Sequence, residues 1–557
     1  MYLRTTRRRN GDGTEVRYLS LAHNEWDPVA GRSKVRILFN FGREDELDPA
    51  AIRRLIGSLS RALPPDEALA AAAPAGLRFL ESRPLGGAYL LDALWRRLGI
   101  DAILARALRG RRLDPAAERA LFAMVANRAL APASQLSCAA WASERVAIPG
   151  LDALTDDRCY RAMDWLLAIE AEITEQVYWS TATLLNLEVD LLFFDTTSTY
   201  FETDEADAPT PGAPRGFRTC GHSKDHRGDL PQVVIGLAVT REGIPIRVWT
   251  FPGNASDQAL IRQVKDDLLA WKLGRVVWVT DRGFASAANR RYLQRAGGHY
   301  ISGEKLRSDS AEARAALSRQ GRYRVVAGDL EVKEVALDEG TMRDRFVVCR
   351  NPDEAVRDAA IRDRLLRGLE LAIADSDALA PAARAKLACD LRATPTNRRF
   401  LRTTKAGLLR IDRAAVAADA HLDGKFLLRT SDPTLSAAEV ATGYQQLLEV
   451  ERAWRDMKTT LDLRPVYHRK ETRIRSHVLL CWLALLLVRL AENTTGDTWR
   501  NLRAEMDKLH LGRFSGSAGE VAQRTEITPR QTAIFKAAGV AEPPRYVRVA
   551  TPAAAAG

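Results

Sequence analysis

Residues 189–195 read VDLLFFD and residues 275–281 read RVVWVTD. Each is an unbroken apolar run that closes on an aspartate, the pattern of a strand buried on both faces with an acid at its carboxyl end. Between them, QVVIGLAV (232–239) and IPIRVWTF (244–251) flank Gly243 as a hairpin. The GNASD turn (253–257) then supplies Asn254, Ser256 and Asp257, all able to cap a helix running to about Lys272. HYISG (299–303) reads as one more strand. The predicted order is β-β-β-α-β-α-β, and the fold class is α/β with a mixed sheet and flanking helices.

Outward from this core, EVRYLSL and KVRILFNF are β-like, and Asp48-Pro49 opens a helix to about Leu63, so residues 1–72 read as a small α+β region. Pro and Ala dominate 64–76, a linker composition. Residues 73–188 have helical periodicity in short segments carrying Arg96, Arg97, Arg106, Arg109, Arg111 and Arg112. They suit a DNA-end-binding module and equally an ordinary bundle with solvated arginines. Residues 189–303 form the first part of the core. YRVVAG, LEVKEVAL, RFVVCR and DGKFLLRT make 304–439 a β-containing insertion, with a charged helical stretch inside it. Helices resume in 440–495, the second part of the core, and 496–557 is a basic tail, helical at first and then rich in Pro and Ala.

At 557 residues, and with about 100–200 residues per domain as the usual size, several units are expected. A 46% hydrophobic and 27% charged composition excludes the disordered and fibrous classes. The longest apolar run, Val478–Val488, falls short of the about 20 residues that span a bilayer, so it reads as a buried helix and no membrane partner is expected. The basic start MYLRTTRRRNGDG lacks the apolar core of a secretory signal, which leads to a cytoplasmic, nucleoid-associated expectation. Six dispersed cysteines without a C-x-x-C pair argue against zinc and disulfides. The net charge of +11 fits a polyanionic partner, because Lys and Arg displace condensed counterions from a phosphate backbone.

Phosphodiester chemistry with two metal ions needs converging carboxylates. Asp195 and Asp281 would sit together if their strands were parallel neighbours; taken singly, each also fits a helix cap or loop acid. A third acid has to come from an element packed over that edge. On one continuous helix, at about 100° per residue, Tyr444, Glu451, Arg455 and Lys458 share a meridian. Leu447, Val450, Trp454, Met457 and Leu461 form the adjoining apolar stripe. Glu451–Arg455 is also an ordinary i,i+4 surface pair. In GHSKDHRGDLPQ (221–232), Lys224 and Arg227 have the reach to contact phosphate, Asp225 or Asp229 to assist, and the whole segment equally fits a charged surface loop.

These segments resemble DDE transposases of bacterial insertion sequences, in the insertion sequence 4 superfamily and its insertion sequence 1634 branch. The likeness is carried by DTTSTYFE with Asp195, GHSKDHRGDLPQVVIGLAV, FPGNASD, VTDRGFAS with Asp281, DGKFLLRT, YQQLLEVERAWRDMK, LRPVYH and NRALAPASQLSCAAW. The resemblance implies a ribonuclease-H-like catalytic core interrupted by the insertion, and a catalytic and metal-binding triad of Asp195, Asp281 and Glu451 with two Mg²⁺ ions, or Mn²⁺. The superfamily signature Y-x2-R-x3-E-x6-K is matched at Tyr444, Glu451 and Lys458, while Leu447 stands in the Arg position, with Arg455 the candidate substitute. Tyr444, Arg455, Lys458, Lys224 and Arg227 are the implied DNA contacts. The implied reaction is cleavage at the element's ends and strand transfer, on double-stranded DNA with terminal inverted repeats and on target DNA, by a homodimer in the DNA complex. Extruded bases would stack on Trp454 or Trp249, unless both are core residues. The alternative is a catalytically impaired descendant that binds ends as a repressor.

Overall fold

The computed structural model describes residues 1–11, 14–60, 62, 64, 77–109, 116–187, 190–203, 205–211, 214–273, 275–307, 310–336, 345–516 and 519–550. Residues 65–76 of the expected linker, and Arg111 and Arg112, lie outside these. The chain divides into one unit of Met1–Glu81, Gly512–Gln523 and Tyr546–Gly557, and another of Ser82–Leu511 and Arg524–Arg545.

In the first unit β1 (Tyr2–Arg9), β2 (Glu15–Asp27) and β3 (Arg32–Arg43) make an antiparallel sheet, followed by a helix at Pro49–Ser60. The basic N-terminal run is thus a strand, paired along its length with β2. A further strand, β4, covers Arg78–Pro84.

The second unit is built on a nine-stranded sheet. Its core strands are β5 (Leu191–Tyr200), β6 (Gln232–Val239), β7 (Pro245–Pro252), β8 (Val277–Thr280) and β9 (His299–Glu304). The segment after β9 adds β10 (Arg324–Ala327), β11 (Leu330–Ala336) and β12 (Arg345–Arg350). A separate hairpin of β13 (Leu401–Thr403) and β14 (Leu409–Ile411) follows, and then β15 (Lys425–Thr430). The spatial order is β10-β11-β12-β15-β9-β8-β5-β6-β7. β8 is parallel to both β5 and β9, and every other described pairing in the sheet is antiparallel. Four strands of the 304–439 segment therefore prolong the core sheet.

Alternation along the strands explains the layering. Leu191, Phe193, Val277 and Val279 enter one hydrophobic cluster, while Leu192, Phe194 and Trp278 enter another on the opposite face. The helix Asp257–Leu269 covers the second face through Leu260, Ile261, Val264 and Leu268. Over the first lie the helices Leu448–Thr459 and Glu471–Thr495, together with Gly86–Arg97 and Ala117–Leu130, so the N-terminal helical region shares the core of the sheet. Glu471–Thr495 is apolar enough to resemble a membrane span, but its apolar window is 94% buried inside the protein. The tail differs from expectation: besides helices it carries β16 (His510–Gly516), β17 (Gly519–Arg524) and β18 (Tyr546–Ala550), ordered β18-β17-β16-β4. β16 and β17 are short and mostly half-exposed, so their sequence has little apolar alternation to announce them.

One charge in the main core is costly to bury and is paired. Arg489, 1% exposed, binds Asp456 of the Leu448–Thr459 helix at 2.6 Å and Glu492 at 2.5 Å. Replacing it (Arg489→Ala) leaves Asp456 without its ion-pair partner, Glu492 keeping Arg452 at 3.3 Å, and is expected to destabilise the protein by about 3 kcal/mol, seen as a lower urea midpoint. An unchanged midpoint would mean these acids are already hydrated.

Candidate active site

Leu191 pairs with Val277 and Phe194 with Thr280 in the parallel β5/β8 register. The next step of that register sets Asp195 beside Asp281. Both continue the odd-numbered series whose side chains face the cluster under the Leu448–Thr459 helix. Asp281 ends its strand as expected. Asp195 does not: β5 runs on to Tyr200, because TTSTY pairs with Gln232–Gly236 of β6 and stays buried. The acid is exposed to its neighbours because β8 stops there, leaving Asp195 unflanked on that side. Burial raises the Asp195 carboxyl above its ordinary range; Asp257 and Asp281 push the same way, and Lys224 and the Thr196 backbone oppose them.

Asp257 comes from the opposite face. As the first residue of its helix it accepts a 2.5 Å hydrogen bond from the Thr196 hydroxyl. Lys224 joins the two sides. Its Nζ lies 3.5 Å from both Asp195 Oδ1 and Asp257 Oδ2, and donates to the carbonyl and hydroxyl oxygens of Thr196 at 2.6 and 2.7 Å. The Lys224 backbone N–H is held by the buried Ser198 hydroxyl at 2.9 Å. Glycines let the two loops meet: a Cβ on Gly253 would fall 2.0 Å from the Gln232 carbonyl oxygen, and one on Gly221 would fall 2.0 Å from that of Gly253. The GHSKDHRGD and FPGNASD segments are therefore packed backbone to backbone.

The helix carrying Glu451 is not continuous with Tyr444. The chain forms Ala437–Gln445, breaks, and resumes at Leu448–Thr459. Across the break the hydrogen bonds run over three residues, Leu447 N–H to Tyr444 O and Val450 N–H to Leu447 O. That tighter winding, about 120° per residue, turns Glu451 away from the Tyr444 meridian. The apolar stripe is as expected, with Leu447, Val450, Trp454, Met457 and Leu461 all buried. Leu447, at the break, points into the core. Tyr444 donates to Asp281 at 3.2 Å, and burial, together with Asp281, raises its phenol above the ordinary value. Glu451 is exposed and acts on the Tyr444 hydroxyl electrostatically.

The expected DNA contacts have separate fates. Arg455 is exposed, and its guanidinium has no ion-pair partner among the described residues. Lys458 binds Asp225 at 2.9 Å, sharing it with Arg464 at 2.8 Å. Arg227 binds Asp229 at 2.8 Å and lies over the Tyr200 ring. Trp454 and Trp249 are core residues. A cavity of about 460 Å³ opens beside Asp281, with Arg282, Lys305, Arg307 and Lys425 in its wall and the stacked pair Phe426–Tyr444 along one side. Among the described residues no three His, Cys, Asp or Glu side chains stand close enough together to enclose a metal ion. The Asp195–Asp281 pair nevertheless has the oxygen donors and mutual repulsion that favour a hard divalent cation. Asp257 and the Phe426 wall went unread in the sequence. The Asp257 cap signal was visible, but not that the helix start faces Asp195.

A transposase DDE domain matches residues 202–487, just over half the chain, spanning Asp281 and Glu451 and starting after Asp195. An IS1634 family transposase N-terminal domain matches residues 3–69. No curated protein matches. Among solved structures, a piggyBac transposase synaptic complex with hairpin DNA is similar over 76% of this chain and 78% of that one, at 10% identity and a TM-score of 0.35, too weak a likeness to build on.

Because the folded-state carboxyl of Asp195 titrates above its unfolded value, its ionisation opposes folding. Stability should fall as pH rises from the usual carboxylate range through that raised value. Asp195→Asn is accordingly expected to melt higher than wild type near neutral pH, with the gain shrinking on acidification. A variant that melts lower at neutral pH would contradict this.

Proposed function

The chain belongs to the DDE transposases, in their IS1634 branch, and we propose that it cuts DNA at the ends of its element and joins them to target DNA using Asp195, Asp281 and Glu451. The observation that carries this reading is the placement of two carboxylates side by side at the meeting of parallel β5 and β8. A ribonuclease-H-like core is supported by the order β7-β6-β5-β8-β9, with the antiparallel β5–β7 meander on one side and the parallel β8 and β9 on the other.

In this reading Asp195 and Asp281 hold Mg²⁺ or Mn²⁺, with Glu451 supplied from the helix docked on the same face. Bound ions would lower the pKa of the attacking hydroxyl and neutralise charge in the in-line displacement. The chain's own groups do the rest. Tyr444 orients the Asp281 carboxylate through its hydrogen bond. Arg455, solvent-facing on the Glu451 helix, takes the phosphate role that Leu447 cannot, being buried. Lys458 and Arg464, gathered on Asp225, present a second cationic point, and Lys224 and Arg227 lie on the loop between them and the acids. The four cations around the cavity beside Asp281 fit a DNA backbone, and two copies would act on paired ends.

Full-length protein incubated with Mg²⁺ and a duplex carrying the DNA that flanks its own reading frame is expected to release end-cleaved product. Asp195→Asn, Asp281→Asn and Glu451→Gln should each remove product while leaving binding intact. Cleavage by any of these variants at the wild-type rate would exclude that acid from the triad. Binding by the wild type with no product in Mg²⁺ or Mn²⁺ would favour the impaired, repressor-like alternative.

A further inference from the structure

Lys224 is partly exposed, and its surroundings hold it at the acids. Its backbone is fixed by Ser198, its loop is pinned at Gly221 against Gly253, and its neighbour Asp225 is clamped by Lys458 and Arg464. With its backbone so placed, the ammonium meets two carboxylates and both oxygens of Thr196. Asp257 has no other assigned part in the site. Its carboxylate closes a ring in which Thr196 donates to Asp257, Lys224 donates to Thr196, and Lys224 bridges Asp257 to Asp195.

We infer that Lys224 is an internal counter-ion for Asp195, positioned by Asp257 and Thr196, that competes with a divalent cation for the same carboxylate in the DNA-free protein. This rests on the proposed role of Asp195 as a metal ligand. Asp257 and Asp281 both act against the charge on Asp195, and a nearby positive charge offsets them. Lys224 supplies that charge. A divalent ion bound at Asp195 would stand within a few ångströms of the ammonium and be repelled by it. A DNA phosphate entering the site offers the ammonium another anion, so metal and DNA favour each other's binding. Asp257 keeps Lys224 poised at the site while either ligand is absent.

The test is a Mn²⁺ titration of DNA-free, full-length protein, with bound ion followed by loss of the free Mn²⁺ electron paramagnetic resonance signal. An opposite charge at this distance shifts carboxylate affinity for a cation such as a proton by about tenfold or more. Lys224→Met is therefore expected to bind Mn²⁺ about tenfold more tightly than wild type. Lys224→Arg, which keeps the charge, should remain close to wild type, and adding Asp195→Asn to Lys224→Met should abolish the gain. Should Lys224→Met not fold, Lys224→Gln removes the charge while retaining donors for Thr196 and carries the same expectation. Equal or weaker Mn²⁺ affinity in a folded, charge-removed variant would overturn the counter-ion role while leaving the metal site standing. No Mn²⁺ bound by any of these proteins would instead overturn the assignment of Asp195 as a ligand.

Discussion

Parallel neighbours in a sheet lie about 4.8 Å apart, and residues at matching register points project from the same face. For β5 and β8 this geometry places Asp195 next to Asp281. The layers on either side of the core strands are tied to that pairing. The two clusters above and below the sheet depend on its odd and even residues, and a slip of one position in either strand would turn that strand's acid to the opposite face, away from its partner. Gly443 fits the same packing: a Cβ there would fall 2.8 Å from a methyl of Leu191, so a larger residue would require that side chain to shift.

Around the acid pair the protein places charge in an interlocked order. The GHSKDHRGD loop contributes a cation to the acids through Lys224 and an anion to the bases through Asp225, in consecutive residues. Such an arrangement keeps an unfavourable cluster of carboxylates folded, at some cost in stability that the large buried core offsets. It also links the sheet edge to the Glu451 helix, since Lys458 reaches Asp225 from that helix and Arg489 anchors the helix's other side through Asp456.

Much of this was legible in the sequence where apolar residues run unbroken. VDLLFFD, QVVIGLAV, RVVWVTD and the stripe from Leu447 to Leu461 have few other ways to be buried, and they became strands and a docked helix. Polar segments were less readable. TTSTY extends β5 because its backbone pairs with Gln232–Gly236 of β6, which composition does not reveal. The basic run at Tyr2–Arg9 is the first strand of a hairpin with β2, and its arginines hide the apolar alternation that would announce it. The break after Gln445 is invisible to helical periodicity, which runs through it unbroken. Asp257 could be read as a cap, but its second duty toward Thr196 and Lys224 depends on two loops meeting through Gly221 and Gly253.

The central claim is that Asp195 and Asp281 form the floor of a divalent-metal site over which Glu451 is carried. Anomalous diffraction from crystals of the full chain soaked in Mn²⁺ tests it most directly. The account predicts a Mn²⁺ peak within bonding distance of both aspartates, on the face of the sheet that carries the Leu448–Thr459 helix. A well-occupied peak bound elsewhere, with none at this pair, would contradict it.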